Sequence, residues 1–174
     1  MDGLLVVLVV LAVAVGFVLI LRRKIRALRD TVGFIKDTGA EMLATGTRMS
    51  GLIQPGDDPV DSIIDPRMAT VGLACLVLDR DNDLSRRDWA TMRDEVAAHF
   101  RTGEAQAGDM VMLSQWLVGK LRDEGDLPRL AYHAADLAGP GLSDDLEAIV
   151  GRAVRATGHS AGPALEEALS ALNR

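Results

Sequence analysis

Apolar and polar positions along this chain fall into two regimes. From Leu4 to Leu21, eighteen consecutive residues carry no charged or strongly polar side chain. As a helix such a run rises about 27 Å, close to the hydrocarbon thickness of a bilayer, and it predicts a single transmembrane helix. From about residue 60 onward, apolar residues recur instead at three- and four-residue steps among charged ones, and no two-residue alternation survives counting. This second regime predicts an all-α fold: a compact bundle of about six helices following the N-terminal span.

Local signals place the six helices. Asp65-Pro66 reads as an N-cap followed by proline at the first helical position, opening a helix through Leu78. Met68, Val71, Leu73, Ala74, Cys75, Leu76 and Val77 make that helix apolar nearly all round, so it is expected at the centre. Ser85-Arg86-Arg87-Asp88 is a capping-box-like start, followed by a stripe of Trp89, Met92, Val96 and Phe100. A third helix over 104–122 is expected to bury Met110, Leu113, Trp116 or Leu117, and Leu121. The fourth begins at Asp126-Leu127-Pro128, with Leu130, Ala134 and Leu137 inward. Ser143-Asp144-Asp145 is read as the cap of a fifth carrying Leu146, Ile149, Val150, Ala153 and Val154, stopped by Gly158. A sixth, around 162–172, uses Leu165, Ala168, Leu169 and Leu172. Leu73–Met92 and Leu130–Val150 share one grammar, with Leu142-Ser143 matching Leu84-Ser85, a weak internal repeat.

Between the two regimes the charge changes. Only Met1-Asp2-Gly3 precedes the apolar run, and Arg22, Arg23, Lys24, Arg26 and Arg29 follow it. A cleaved signal peptide would carry its charge before the run and a small-residue cleavage site after it, so a retained anchor is preferred. The basic collar Arg22–Arg29 predicts an N-terminus outside and a cytoplasmic C-terminal part. The expected partner is a lipid bilayer, contacted through Leu4–Leu21 and the collar. Ala12 and Gly16 make one small-xxx-small pair, of a kind common by chance. Ile25, Leu28, Val32, Ile35, Met42, Met49 and Ile53 follow heptad-like steps, with Gly39 and Gly46 in the gaps. A juxtamembrane coiled coil and a plain helical stalk over 22–50 both fit, and the two glycines favour the stalk. Gly51–Pro59, containing Pro55-Gly56-Asp57-Asp58, reads as a linker before a domain over 60–174.

Composition narrows the function. The chain has 174 residues and 48% apolar content, room for one core beyond the anchor. Residues 22–50 carry seven Lys/Arg against three Asp/Glu, net +4; residues 51–174 carry twelve against twenty-one, net −9. An acidic body with 3% aromatics is a poor nucleic-acid binder, so no nucleic-acid partner is expected. A single cysteine, Cys75, excludes an internal disulfide and agrees with a reducing compartment.

The sharpest chemical motif is Asp79-Arg-Asp81-Asn82-Asp83-Leu-Ser85-Arg-Arg-Asp88. Acids at steps of two resemble the opening of an EF-hand loop, but Leu84 stands at the sharp-turn glycine and Ala90 at the bidentate glutamate. The motif leaves two readings. Asp81, Asp83 and Asp88 would hold a divalent cation, Ca²⁺ or similar; alternatively Asp81-Asn82 make a turn, Ser85 caps, and Asp88 complements the helix dipole. The second is preferred. His99, His133 and His159 do not share a metal-binding spacing. Cys75 reads as an inert core thiol, and Trp89 and Trp116 as core. Gly119-Lys120 is followed by Leu121, so no phosphate loop is present. No set of residues assembles into a catalytic constellation, and no catalytic or cofactor-binding residue is assigned.

At the acidic turn the sequence resembles the tellurite-resistance TerB-like family, which includes the domain between the membrane anchor and the J domain of DjlA-type co-chaperones. The family pattern is an apolar helix, Ala-Asp-Gly, an acidic or polar residue, Ile/Leu, Ser, two variable positions and Glu. Asp81 stands at the Asp, Asn82 at the Gly, Leu84 at the aliphatic, Ser85 at the Ser and Asp88 at the Glu. The resemblance covers roughly residues 60–174, and Gly139-Pro140-Gly141-Leu142-Ser143 echoes the pattern. In that second copy Gly139 stands where the acid belongs, and Leu146 at the Glu, with Glu147 one place late. The resemblance implies an all-α domain linked to metal-ion binding and stress response, with half of the implied site missing. A J domain with its His-Pro-Asp loop is absent, so co-chaperone activity does not carry over. The expectation is a bacterial inner-membrane, single-pass interaction or scaffold protein that is not an enzyme. It would bind unidentified protein partners or a second copy of itself. A cation-sensing module and a co-chaperone-like accessory without a J domain are the alternatives.

Overall fold

The computed structural model of the chain describes residues 51–54 and 58–173. The expected span Leu4–Leu21, the collar Arg22–Arg29, the stalk over 22–50 and the Ala12/Gly16 pair lie outside the described residues. Among those described, no helix is long and apolar enough to cross a membrane.

Among the described residues six helices form: α1 Pro66–Asp81, α2 Arg86–Phe100, α3 Glu104–Lys120, α4 Asp126–Ala138, α5 Leu142–Thr157 and α6 Pro163–Leu172. There is no strand among the described residues, only an isolated antiparallel bridge between Ile53 and Ile63. Asp65 starts α1 by accepting the backbone N–H groups of Arg67 (2.7 Å) and Met68 (3.2 Å). Pro66 follows at a position that donates no helical bond. Every residue from Met68 to Leu78 is buried, because α1 packs against α3, α4, α5 and α6. A helix surrounded on all sides has no polar face, which is why its periodicity is weak in the sequence. Gly72 marks its closest approach: a Cβ there would lie 2.9 Å from Leu117 Cδ2 on α3.

α2 opens with the capping box that its sequence predicts. The Asp88 carboxylate accepts the Ser85 N–H (2.8 Å), and the Ser85 hydroxyl accepts the Asp88 N–H (3.4 Å). A three-residue turn at Arg101–Gly103 leads to α3, and α2 and α3 pack together. α5 differs from expectation at its start. Ser143 lies inside the first turn, and the N-cap is Gly141 at φ +107°, which has no side chain to cap with. The echo of Leu84-Ser85 in Leu142-Ser143 therefore stops short of the cap that gives the first copy its meaning. Gly158 closes α5 in the left-handed region at φ +75°, where a side chain would be strained.

The stripes also shift at their edges. Trp89, Phe100, Leu137 and Val154 are half-buried, and Leu117 rather than Trp116 takes the core position on α3. In α6 the buried residues are Ala164, Ala168 and Ala171, while Leu165, Leu169 and Leu172 are half-buried. A close-packed groove admits the small side chains and turns the long ones to its rim.

Residues 55–57, the centre of the expected linker, lie outside the described residues, and the segments on either side of them are fastened to the body. Leu52, Val60 and Ile63 are buried, and the Leu52 carbonyl accepts the Ile64 N–H (3.1 Å). The Gln54 N–H donates to the Ser62 carbonyl (2.7 Å). Asp58 accepts the Val60 and Asp61 N–H groups and pairs with Arg129 on α4. Residues 52–54 and 58–64 thus form a strap fastened to the helices, and His133 on α4 contacts its Ile63 carbonyl at 2.9 Å.

Candidate functional site

The acidic turn ends α1 and starts α2, and the structure sets the loop between α5 and α6 against it. Asp81 Oδ2 accepts the Gly162 N–H (2.7 Å) and Oδ1 the Ala164 N–H (3.3 Å). The N-cap of α6 is Gly162, which has no side chain, so Asp81 supplies from another helix the carboxylate that a capping residue would supply locally. Asn82 Nδ2 donates to the Leu78 carbonyl (3.0 Å) and the Ser160 carbonyl (2.9 Å). Its Oδ1 accepts the Ser160 N–H (3.5 Å), so one amide holds both backbone groups of Ser160. Next to it, His159 Nε2 lies 3.0 Å from Asp88 Oδ2, close enough for an ion pair but outside hydrogen-bond alignment. Arg80, one residue before Asp81, lies 3.7 Å from Glu167 on α6.

The three sequence-selected acids thus have separate surroundings. Asp81 faces backbone N–H groups, Asp88 faces Ser85 and His159, and Asp83 is exposed and takes no hydrogen bond from the described residues. Among the described residues, no group of three or more His, Cys, Asp or Glu side chains is arranged to hold a metal ion. Burial acts to raise the Asp88 carboxyl, but the His159 contact and the two Ser85 bonds outweigh it and hold it below its ordinary value. Asp79 behaves in the opposite way. Burial pushes its carboxyl up to about 6; Arg122 pulls it down and Asp83 adds to the rise. Cys75 is fully buried, and burial pushes its thiol up to about 12, which leaves no thiolate to react.

A second polar cluster joins α2 to α5. His99 Nε2 lies 2.9 Å from Asp145 Oδ1, and the Arg152 guanidinium meets His99 Nδ1. A guanidinium can only donate, so Nδ1 accepts and the proton of the neutral ring sits on Nε2, aimed at the carboxylate. Glu95 Oε2 lies 3.4 Å from Arg152 Nε, and Phe100 sets its edge against the His99 ring at a centroid distance of 4.7 Å. Sequence reasoning placed His99 beside Phe100 and missed its partners, which lie 46 and 53 residues away. The available signal was spacing: Glu95 and His99 are one helical turn apart on α2, Asp145 and Arg152 two turns apart on α5. Among the described residues, no hydroxyl or thiol nucleophile is hydrogen-bonded to His99. Both clusters therefore hold helices to one another, and neither pairs a nucleophile with a base. No family model, curated protein or solved structure matches this chain.

Proposed function

We propose that the chain is a single-pass membrane protein presenting a TerB-like, all-α interaction module to the cytoplasm. Its task would be to scaffold a protein partner or a second copy rather than to catalyse a reaction. What carries the reading is the employment of the polar groups. In the described body Asp81, Asn82 and Asp88 of the turn and the His99 cluster are engaged with backbone and side chains of the fold, and Asp83 alone of the three selected acids stands exposed. That chemistry holds a shape and leaves no converging reactive set. The Leu4–Leu21 run, the basic collar and the acidic body support the tethering part of the proposal. Residues Ile64 and Tyr132, 40% and 44% exposed, are the large apolar side chains the body offers to a partner.

The test is affinity purification of the detergent-solubilised full chain followed by quantitative mass spectrometry and light scattering. A stoichiometric partner or an oligomer is the expected result; recovery of a monomer alone would sink the proposal. The cation-sensing reading is the weaker one, because Asp81 and Asp88 already accept hydrogen bonds within the fold. Calorimetry of the full chain against Ca²⁺ addresses it, with heat at millimolar levels required for it to stand.

A further inference from the structure

We infer that α6, together with the loop 158–162 before it, is a releasable latch held on the body chiefly by Asp81 and Asn82. Three observations converge on it. First, the apolar grip of α6 is small: its only buried side chains are the methyls of Ala164, Ala168 and Ala171, with Leu165, Leu169 and Leu172 half-buried at the rim, whereas α5 buries Leu142, Leu146, Ile149, Val150 and Ala153. Apolar stabilisation scales with buried area, so the alanine face contributes far less than the α5 face. Second, α6 has ten residues, too few to persist alone, and no side-chain cap of its own. Its first N–H groups depend on Asp81, a residue of α1. Third, Gly158 and Gly162 bracket the loop, and Gly158 already sits at φ +75°, giving the chain a pivot between α5 and α6.

The latch therefore opens by local unfolding while α1 to α5 stay packed, because fastening and apolar burial are separated between different parts of the molecule. Opening uncovers the sides of α1 and α4 against which α6 packs. The device stands whether or not the scaffold reading holds, since it concerns this chain alone.

Native-state hydrogen exchange on the full chain tests it, comparing the parent with Asp81→Ala, Asn82→Ala and Asp83→Asn. In the parent, amides of 165–172 are expected to exchange faster than those of α1 and α3. Asp81→Ala and Asn82→Ala each speed exchange in α6 about tenfold, the size of effect that follows loss of a capping interaction. The rates in α1 and α3 stay where they were. Asp83→Asn, which removes an exposed acid with no bond into the loop, leaves exchange in α6 relative to α1 and α3 where it was. Asp88 is left intact because it also closes the α2 capping box. The inference is overturned if α6 amides exchange only with the whole body. It is equally overturned if either alanine variant speeds all six helices alike, or if Asp83→Asn loosens α6 as much as Asp81→Ala does.

Discussion

Asp79 holds its proton more tightly in the folded chain than in the unfolded one, about 6 against 3.8. A raised carboxyl favours folding at low pH, and that advantage is lost as pH climbs through 6, so ionised Asp79 works against the fold at neutrality. Two units correspond to roughly 3 kcal/mol in full burial; with the group partly exposed, about 1–2 kcal/mol is expected. Asp79→Asn should therefore stabilise the chain by that amount in urea unfolding at pH 8. The gain should shrink below pH 6 and vanish below 3.8, and a pH-independent gain would contradict the assignment. Asp65 runs the other way. Burial tends to raise it, but the Arg67 guanidinium and the N–H groups of Met68 and Arg67 hold it below 3.8. Its contribution is present above 3.8 and is lost as pH falls through the folded value. Asp65→Ala should cost about 1 kcal/mol at pH 7, and less in acid. Cys75, buried with its thiol near 12, should resist iodoacetamide in the native chain and react only on denaturation.

Between elements, the contact of Gly72 with Leu117 gives a sharper test. Alanine at 72 gains helix propensity of about 1 kcal/mol but meets Leu117 Cδ2 in a packed core, where overpacking costs about 1–3 kcal/mol. Gly72→Ala should destabilise slightly on its own. In a Leu117→Ala background the same methyl enters the space left by the leucine, and its effect should change sign, read by a double-mutant cycle in guanidinium. Gly72 also shows where sequence reading stops. The caps at Asp65 and Ser85 were legible because capping is a local exchange between residues three apart. Pairings of Asp81 with Gly162 and of His99 with Asp145 were not, since distance along the chain hides them. In α6 both alanines and leucines fit the helical period, so the period alone does not say which face goes in. At the start of α5, Ser143 looks like a cap by composition, yet the turn at Gly139–Gly141, with both glycines at positive φ, starts the helix earlier.

For the molecule as a whole, the body begins before the first helix. Leu52 is 5% exposed and its carbonyl accepts two backbone N–H groups, so Leu52→Ala should cost about 2 kcal/mol and lower the thermal midpoint of the full chain. A midpoint unchanged by that substitution would mean that the strap adds nothing to stability. Pro-Gly-Asp-Asp made the 51–59 stretch read as a linker, and composition alone could not reveal that its neighbours Leu52 and Val60 are buried. The net −9 of residues 51–174 belongs to a body whose described acids include several helix caps, at Asp65, Asp81 and Asp88. Acidic character here partly serves the folding of short helices.

The strap also has a mechanical consequence. Tension arriving at Gly51 meets a pair of antiparallel segments that enter and leave at the same end, Leu52 opposite Ile64. Such a pair is loaded by peeling: its hydrogen bonds break one after another instead of sharing the force. The strap would act as a fuse that yields first, lengthening the chain by roughly 45 Å before the helices carry any load. Pulling the chain from its N-terminal side in an optical trap should show a small extension of that order ahead of the main rupture.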